Sequence, residues 1–377
     1  MQTARGVKAA GHPFSELCRY QPLSPMQMRL YQSLREAVPI IDAAILKTVR
    51  LVGGFTAACR DKAAEAALRG FLRTVRVNAC SVGMESFVSA YFEQLLTYGT
   101  AVGEIVLNRD KDGIAGLYNA SLEDVELKAP HGPMCVQVCL KDGVLSTPVP
   151  YPELILTSAL SPEPGALYGD SVLKGLPFVS EILLKIYQSM GLNWERVGNL
   201  RFAVTYHPGN DPADKAYAKE RAEQMAREWG RAMQGENGRV SDFVAVGDVS
   251  VKVIGADNQI LDSEVPVRQM LEQIVAKLSL PPFLLGLSWS STERMSSQQA
   301  DILTSELGSY RRLLTPVIEK VCNTFLRLNG FSCPVELVWD KINLQDEVEL
   351  ANARLLRAQA EEIERRLAGE TQEESQE

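Results

Sequence analysis

Residues 95–128 read LLTYGTAVGEIVLNRDKDGIAGLYNASLEDVELK, and within them the apolar period changes from helical to extended. Upstream, Met84, Phe87, Val88, Tyr91, Phe92, Leu95 and Leu96 recur at three and four, which is one apolar face of a helix. Gly99 follows as the C-terminal cap, since glycine takes the left-handed conformation without steric cost. Beyond it, residues 101–108 alternate with period two, Asp112-Gly113 makes a turn, and residues 114–118 return as a strand. Further short strands are predicted at 125–128, 134–140 and 151–157, with Asp142-Gly143 as another turn. The fold class is therefore α+β, with a small antiparallel region after a helix.

Working outward, residues 26–52 read as helix, split or kinked by Pro39. A Pro/Gly/Ser stretch at 161–170 marks a boundary. Val179, Ile182, Leu183, Ile186 and Met190 then form a helical stripe, with Ser180, Glu181, Lys185 and Gln188 opposite. Residues 199–255 predict a strand, a helix and a strand pair; Asp211 and Pro212 mark the helix start. A second stripe runs through Val267, Met270, Leu271, Ile274 and Leu278 and stops at Pro281-Pro282. Leu184, Tyr187 and Val275 are apolar residues outside the two stripes. A polar loop, SWSSTERMSS (288–297), precedes a long helix from about Gln298, carrying Leu303, Leu307, Tyr310, Leu314, Val317, Val321 and Leu328, with Pro316 as a predicted kink. Residues 335–339 form a late strand, 344–367 a charged helix, and GETQEESQE reads as a disordered tail. No internal repeat is visible.

The 377 residues, 46% hydrophobic and 23% charged, describe a folded chain of about two to three domains. The seven cysteines are scattered and the opening residues lack the apolar core of an export signal, so free thiols in a reducing cytoplasm are expected. No stretch reads as a membrane span; the best, 38–52, is broken by Asp42, Lys47 and Arg50. Of the formal charge of −8, residues 344–377 carry −6, from ten acidic and four basic side chains. The remaining body is near neutral, unlike a domain that grips nucleic acid.

Catalytic motifs are sparse. No Gly-Lys dipeptide occurs, which excludes a phosphate-binding loop of the G-x-x-x-x-G-K type, and neither G-x-G-x-x-G nor G-x-S-x-G is present. His12, His131 and His207 stand apart in loop-like sequence, and Cys135 and Cys139 read as buried strand thiols. Ser171-Val-Leu-Lys174 fits S-x-x-K, but the S-D-N and K-T-G partners of that chemistry are missing. No cofactor or metal is expected.

Four stretches, in order, carry a resemblance: residues 95–128; YGDSVLKGLPFVSEILLK (168–185); LSLPPFLLGL (278–287); and the Ser-rich loop with the helix bearing Leu314-Thr-Pro316, Ile318 and Glu319. Together they resemble the bacteriophage portal protein family typified by phage HK97, over about residues 30–345. The second departs from the family's Gly-x-Ser-Pro, having Gly-Asp-Ser-Val at 169–172. The resemblance implies a non-enzymatic ring, usually of twelve subunits, at one capsid vertex, with double-stranded DNA passing through it without sequence specificity. It further implies an N-terminal arm (1–25), a mixed wing with a small antiparallel sheet (26–170), and two stem helices (171–198 and 262–284) flanking a small α/β clip (199–258). A channel loop, kinked helix and wing return (286–343) and a short helical crown with an acidic tail (344–377) complete it.

Its implied partners are further copies of itself, the terminase large subunit, a head–tail adaptor, and the major capsid and scaffolding proteins. The implied location is the virion's portal vertex, with assembly in the host cytoplasm and no membrane. The resemblance places Ser288, Trp289, Ser290, Ser291, Thr292, Glu293, Arg294 and Ser296 in the channel loop. Glu181, Lys185 and Lys277 are the candidate lumen-facing stem residues. For the loop, an ordinary surface segment whose Ser and Thr cap the next helix stays open. Three rivals to the whole reading also stay open. One is a different head–tail connector or minor ring component, and another is a helical scaffold. The third is an enzyme using scattered carboxylates such as Glu181, Glu272, Glu293 and Glu306.

Overall fold

The computed structural model describes residues 25–130, 136–142, 145–198, 201–233, 249–254, 263–287 and 293–342, with residue 359. Contacts divide the chain into two units, residues 181–270 forming one and the flanking parts of the chain the other. The divisions fall inside two helices, at Ser180/Glu181 and Met270/Leu271, and not in the Pro/Gly/Ser stretch at 161–170.

The larger unit opens with helices α1 (Pro25–Ala37) and α2 (Pro39–Leu51). Pro39 separates them as expected, occupying the first turn of α2, where a missing N–H costs nothing. Strand β1 (Phe55–Cys59) and helix α3 (Lys62–Thr74, capped by Asp61) follow, then the two-residue strands β2 (Arg76–Val77) and β3 (Ser81–Val82). None of these four was legible from periodicity. Helix α4 (Met84–Tyr98) ends at Gly99, which takes the left-handed conformation at φ 77°. All seven predicted face residues of α4 are buried.

Strands β4 (Thr100–Leu107), β5 (Ile114–Asn119), β6 (Val125–Lys128), β7 (Gln137–Asp142), β8 (Leu145–Pro148) and β9 (Ile155–Ala159) come next. The strand expected over 151–157 starts later, because Pro152–Leu154 form a 3-10 turn first. A five-stranded sheet runs β3-β2-β5-β4-β9, antiparallel except for β2 with β5. A three-stranded sheet runs β6-β7-β8. Gln94 links α4 to the first sheet, its amide donating to the Ala120 carbonyl (2.7 Å) and accepting from the Val102 N–H (3.1 Å). Met28, Val102, Leu122, Val125, Leu127, Val138 and Ile155 close the core between the layers.

Helix α5 (Leu176–Gly198) crosses into the smaller unit. Ser180, expected on its polar side, is buried in place of an exposed position, while Glu181, Lys185 and Gln188 are exposed. The smaller unit holds strand β10 (Arg201–Tyr206), helices α6 (Pro212–Ala216) and α7 (Ala218–Met233), and strand β11 (Val249–Ile254). The Asp211 side chain caps α6 by accepting from the Ala213 N–H, as read from the sequence. The single helix expected there is two, breaking at Tyr217. Strands β10 and β11 pair antiparallel, Arg201 opposite Ile254. The strand expected at 243–246 lies outside the described residues.

Helix α8 (Glu264–Leu278) returns to the larger unit, where Ile274 and Val275 are buried; Val275 thus belongs to the buried face and not outside it. Helix α9 (Glu293–Leu328) contains Pro316 without ending there. Its residues Leu303, Leu307, Tyr310, Leu314, Val317 and Val321 are buried, and Leu328 is half-buried. Phe325 stacks on Phe71 of α3 at 4.1 Å, and Tyr310 meets Phe92 of α4 at 5.2 Å. Strand β12 (Val335–Trp339) turns back to pair antiparallel with β1, Phe55 opposite Trp339 and Cys59 opposite Val335. Of the charged helix and tail expected beyond it, only residue 359 is described, in helical conformation; His12, His131 and Cys135 lie outside the described residues. Among the described residues no helix is long and apolar enough to cross a membrane.

Candidate functional site

The segment joining α8 to α9 is shaped by two prolines and a glycine. Ser279 turns out of α8 with a positive φ of 53°; Pro282–Leu285 form a 3-10 turn, and Gly286 ends it in the left-handed region. Proline fixes the backbone that such a turn needs and cannot prolong the helix before it. A groove of about 500 Å³ lies between the end of α8, this turn and α9, walled by Val275, Leu280, Pro281, Pro282, Ile302 and Leu303. Ile302 is 70% exposed at its rim. Gln299 also lines the groove, and its Oε1 atom is buried without a hydrogen-bond partner among the described residues.

The loop expected over 288–297 is shorter than the sequence reading made it. Glu293, Arg294 and Ser296 belong to the first turns of α9, which starts at Glu293 and not near Gln298. The physical reason is propensity: Glu, Arg, Met and Gln are good helix formers, and an acidic residue suits the positive end of the helix dipole. Polarity alone had marked this stretch as loop. Ser288, Trp289, Ser290, Ser291 and Thr292 lie outside the described residues.

Glu181 and Lys185 come together across one turn of α5, Nζ to Oε1 at 2.6 Å. Both are well exposed, so the pair contributes little to stability. Lys277 is exposed in the last turn of α8, where its charge complements the helix dipole. Of the carboxylates of the rival enzymatic reading, Glu181 and Glu272 are exposed and Glu306 stands half-buried near Tyr310. The Ser171 hydroxyl donates to the Thr97 carbonyl (2.6 Å) and accepts from the Leu173 N–H (2.9 Å). Lys174 is held by Asp170 at 2.9 Å, which raises its pKa against a smaller opposing effect of burial. Ser171 thus fastens α4 to the start of α5.

Sequence reading missed two features. Arg35 of α1 reaches Asp42 Oδ1 (2.8 Å from Nε), Thr97 Oγ1 (3.0 Å) and Glu93 Oε1 (2.7 Å), tying α1, α2 and α4 together. Burial disfavours its charge, but hydrogen bonds to Glu93 and Asp42 outweigh that and raise its pKa. Secondly, beside Tyr187, which the sequence sets outside the α5 stripe and which is exposed, Phe178, Leu192 and Trp194 of the same helix also stand exposed, the last at 64%. Among the described residues no group of three or more His, Cys, Asp or Glu is placed to hold a metal.

No protein-family model and no curated protein matches the sequence. Solved structures do match the fold. The neck of a native gene transfer agent (GTA) particle, computed with C12 symmetry, aligns over 86% of this chain and 89% of that one, with TM-score 0.57 and 15% identity. The neck of an empty GTA particle, computed with C6 symmetry, aligns over 87% and 88%, with TM-score 0.58 and 17% identity. The chain shares its fold with a chain of each of these particle necks. An HK97-family phage portal protein from Corynebacterium diphtheriae also matches, over 81% and 95%, at TM-score 0.41 and 12% identity; the fold assignment rests on the other two.

Proposed function

We propose that the chain is a portal protein, one subunit of a ring at a capsid vertex through which double-stranded DNA enters and leaves. The observation that carries this is the shared fold with symmetric particle necks over 86% and 87% of the chain. Exposed Tyr187, Leu192, Trp194 and Ile302 support it, since side chains of this size on one chain suit burial between neighbours in a closed ring. The near-neutral body supports a conduit, because each neutralised phosphate adds affinity and so resists sliding.

In this reading α5 and α8 are the stem helices. Residues 199–258 are the clip, which docks the terminase large subunit and later the head–tail adaptor. Residues 288–297 face the lumen. Arg294 then supplies one positive charge per subunit to a duplex carrying one phosphate charge per roughly 1.7 Å of axis. Imaging and native mass measurement of the purified protein test the ring directly. A large ring with an axial hole is expected; a stable monomer or dimer overturns the proposal. In an assembled ring, Arg294→Ala and Arg294→Glu are expected to preserve assembly and to impair DNA retention, the Glu variant more. Normal packaging in both removes Arg294 from the mechanism.

A further inference from the structure

We propose that residues 344–358 fold back on their own chain as a helix, antiparallel to α2, in a cleft that α1, α2 and α4 leave open. The cleft holds about 920 Å³. Helix α2 buries one face through Ile41, Ala44, Ile45 and Thr48, whereas Pro39, Ala43, Leu46 and Arg50, spaced four, three and four apart, line the cleft. Pro39 and Ala43 are exposed and Leu46 is half-buried. This second face of α2 is small, apolar and open.

Charge is ordered along it. Lys47 and Arg50 stand at the C-terminal end of α2, and neither has an ion pair among the described residues. Around the N-terminal end stand Glu36, Asp42 and Glu93, which Arg35 offsets only in part.

The exit of the chain from β12 names the occupant. The Asp340 N–H donates to the Gly54 carbonyl (3.0 Å), just past the end of α2, so the residues after 342 set out beside that end. Leu344, Val348, Ala351 and Leu355 then recur at four, three and four, the spacing of the open α2 face. Asp346, Glu347 and Glu349 come first along the segment, and Arg354 and Arg357 later. Laid antiparallel, the carboxylates meet Arg50 and Lys47, and the arginines meet Asp42, Glu36 and Glu93. A parallel arrangement would set carboxylate against carboxylate. A helix over 344–358 spans about 22 Å and α2 about 20 Å, so the two match in length. Gln359, the next residue, is helical and exposed. Covering the cleft would also take solvent from Asp42 and Glu93 and strengthen their hold on Arg35.

The proposal concerns one copy of the chain and stands apart from the ring reading. Its test uses the full chain, isotope-labelled and unlabelled copies being mixed while dissociated. A water-soluble carbodiimide then joins amines to touching carboxylates with loss of water. After trypsin, we expect residues 36–50, through Lys47, linked to residues 342–354, which hold Asp346, Glu347 and Glu349. Both peptides should come from the same copy. The Lys174–Asp170 pair, 2.9 Å apart, controls for the coupling. Coupling there without the Lys47 link overturns the proposal, as does a link found only between copies. Amide hydrogen exchange over 344–358 gives a second reading. Lys47→Glu with Arg50→Glu should speed it about tenfold, the effect of two or three part-exposed ion pairs. Adding Asp346→Lys, Glu347→Lys and Glu349→Lys should restore the protection. Exchange that the first pair leaves unchanged, or that the reversal does not restore, also overturns the proposal.

Discussion

Gly99 and Gly169 meet backbone to backbone. A β-carbon on Gly169 would stand 2.2 Å from the Gly99 carbonyl oxygen and 2.3 Å from the Leu160 nitrogen, and one on Gly99 would stand 2.4 Å from the Gly169 oxygen. The crossing is stitched by the Leu160 N–H to the Gly99 carbonyl (2.8 Å) and the Gly169 N–H to Thr100 Oγ1 (3.0 Å). The obstructing atoms are main chain, which cannot swing aside as a side chain can. Gly169→Ala is therefore expected to cost at least the roughly 1–3 kcal/mol of an overpacked core, read as a lowered denaturant midpoint. An unchanged midpoint would mean that the crossing is loose. Arg35 offers a second residue-level test. Its planar fork serves three partners at once, which a lysine ammonium on a flexible stem does not reproduce. Asp42 and Glu93 are each more than a third exposed, so solvent screens part of the interaction. Arg35→Lys and Arg35→Ala should both lower stability by about 1–2 kcal/mol, less in high salt. Stability equal to the parent in both would assign the cluster no structural role.

Among the elements, α9 carries the buried seam against which the larger unit packs. Leu307 is fully buried in it, so Leu307→Ala should cost about 2–5 kcal/mol and shift the unfolding midpoint accordingly. A small shift would show that the surroundings collapse into the gap. This helix, α4 and the hairpin of β4 and β5 were legible because their apolar residues repeat cleanly and Gly99 marks the change of period. β1 and α3 were not. FTAAC (55–59) has no alternation to read, and its partner β12 lies far along the chain. α3 buries only Ala64 and Leu68, too few residues to make a visible stripe. The start of α9 was misplaced because Ser296 and Ser297 look like loop, whereas helix propensity is summed over a window that also holds Glu293, Arg294 and Gln298. Ser180 shows the opposite error. A hydroxyl small enough to fit under a helix was taken for a surface residue.

At the level of the whole molecule, sequence order and spatial order disagree, and the ring proposal inherits the result. The charge of −6 over 344–377 leaves the rest of the chain with little repulsion between copies. Truncation after Ala368 should leave assembly intact, checked by native mass; dissociated subunits would show that the tail takes part in the interface. The pairing of β1 with β12 has a consequence in time. The first of these strands is synthesised some 280 residues before its partner exists, since Phe55 lies opposite Trp339. At roughly 5–20 residues per second, β1 waits on the order of tens of seconds on the ribosome with an edge unpaired. The ribbon of β1 and β12 cannot close before residue 339 is made. A truncated translation product lacking β12 leaves that edge open, a template for pairing with another chain.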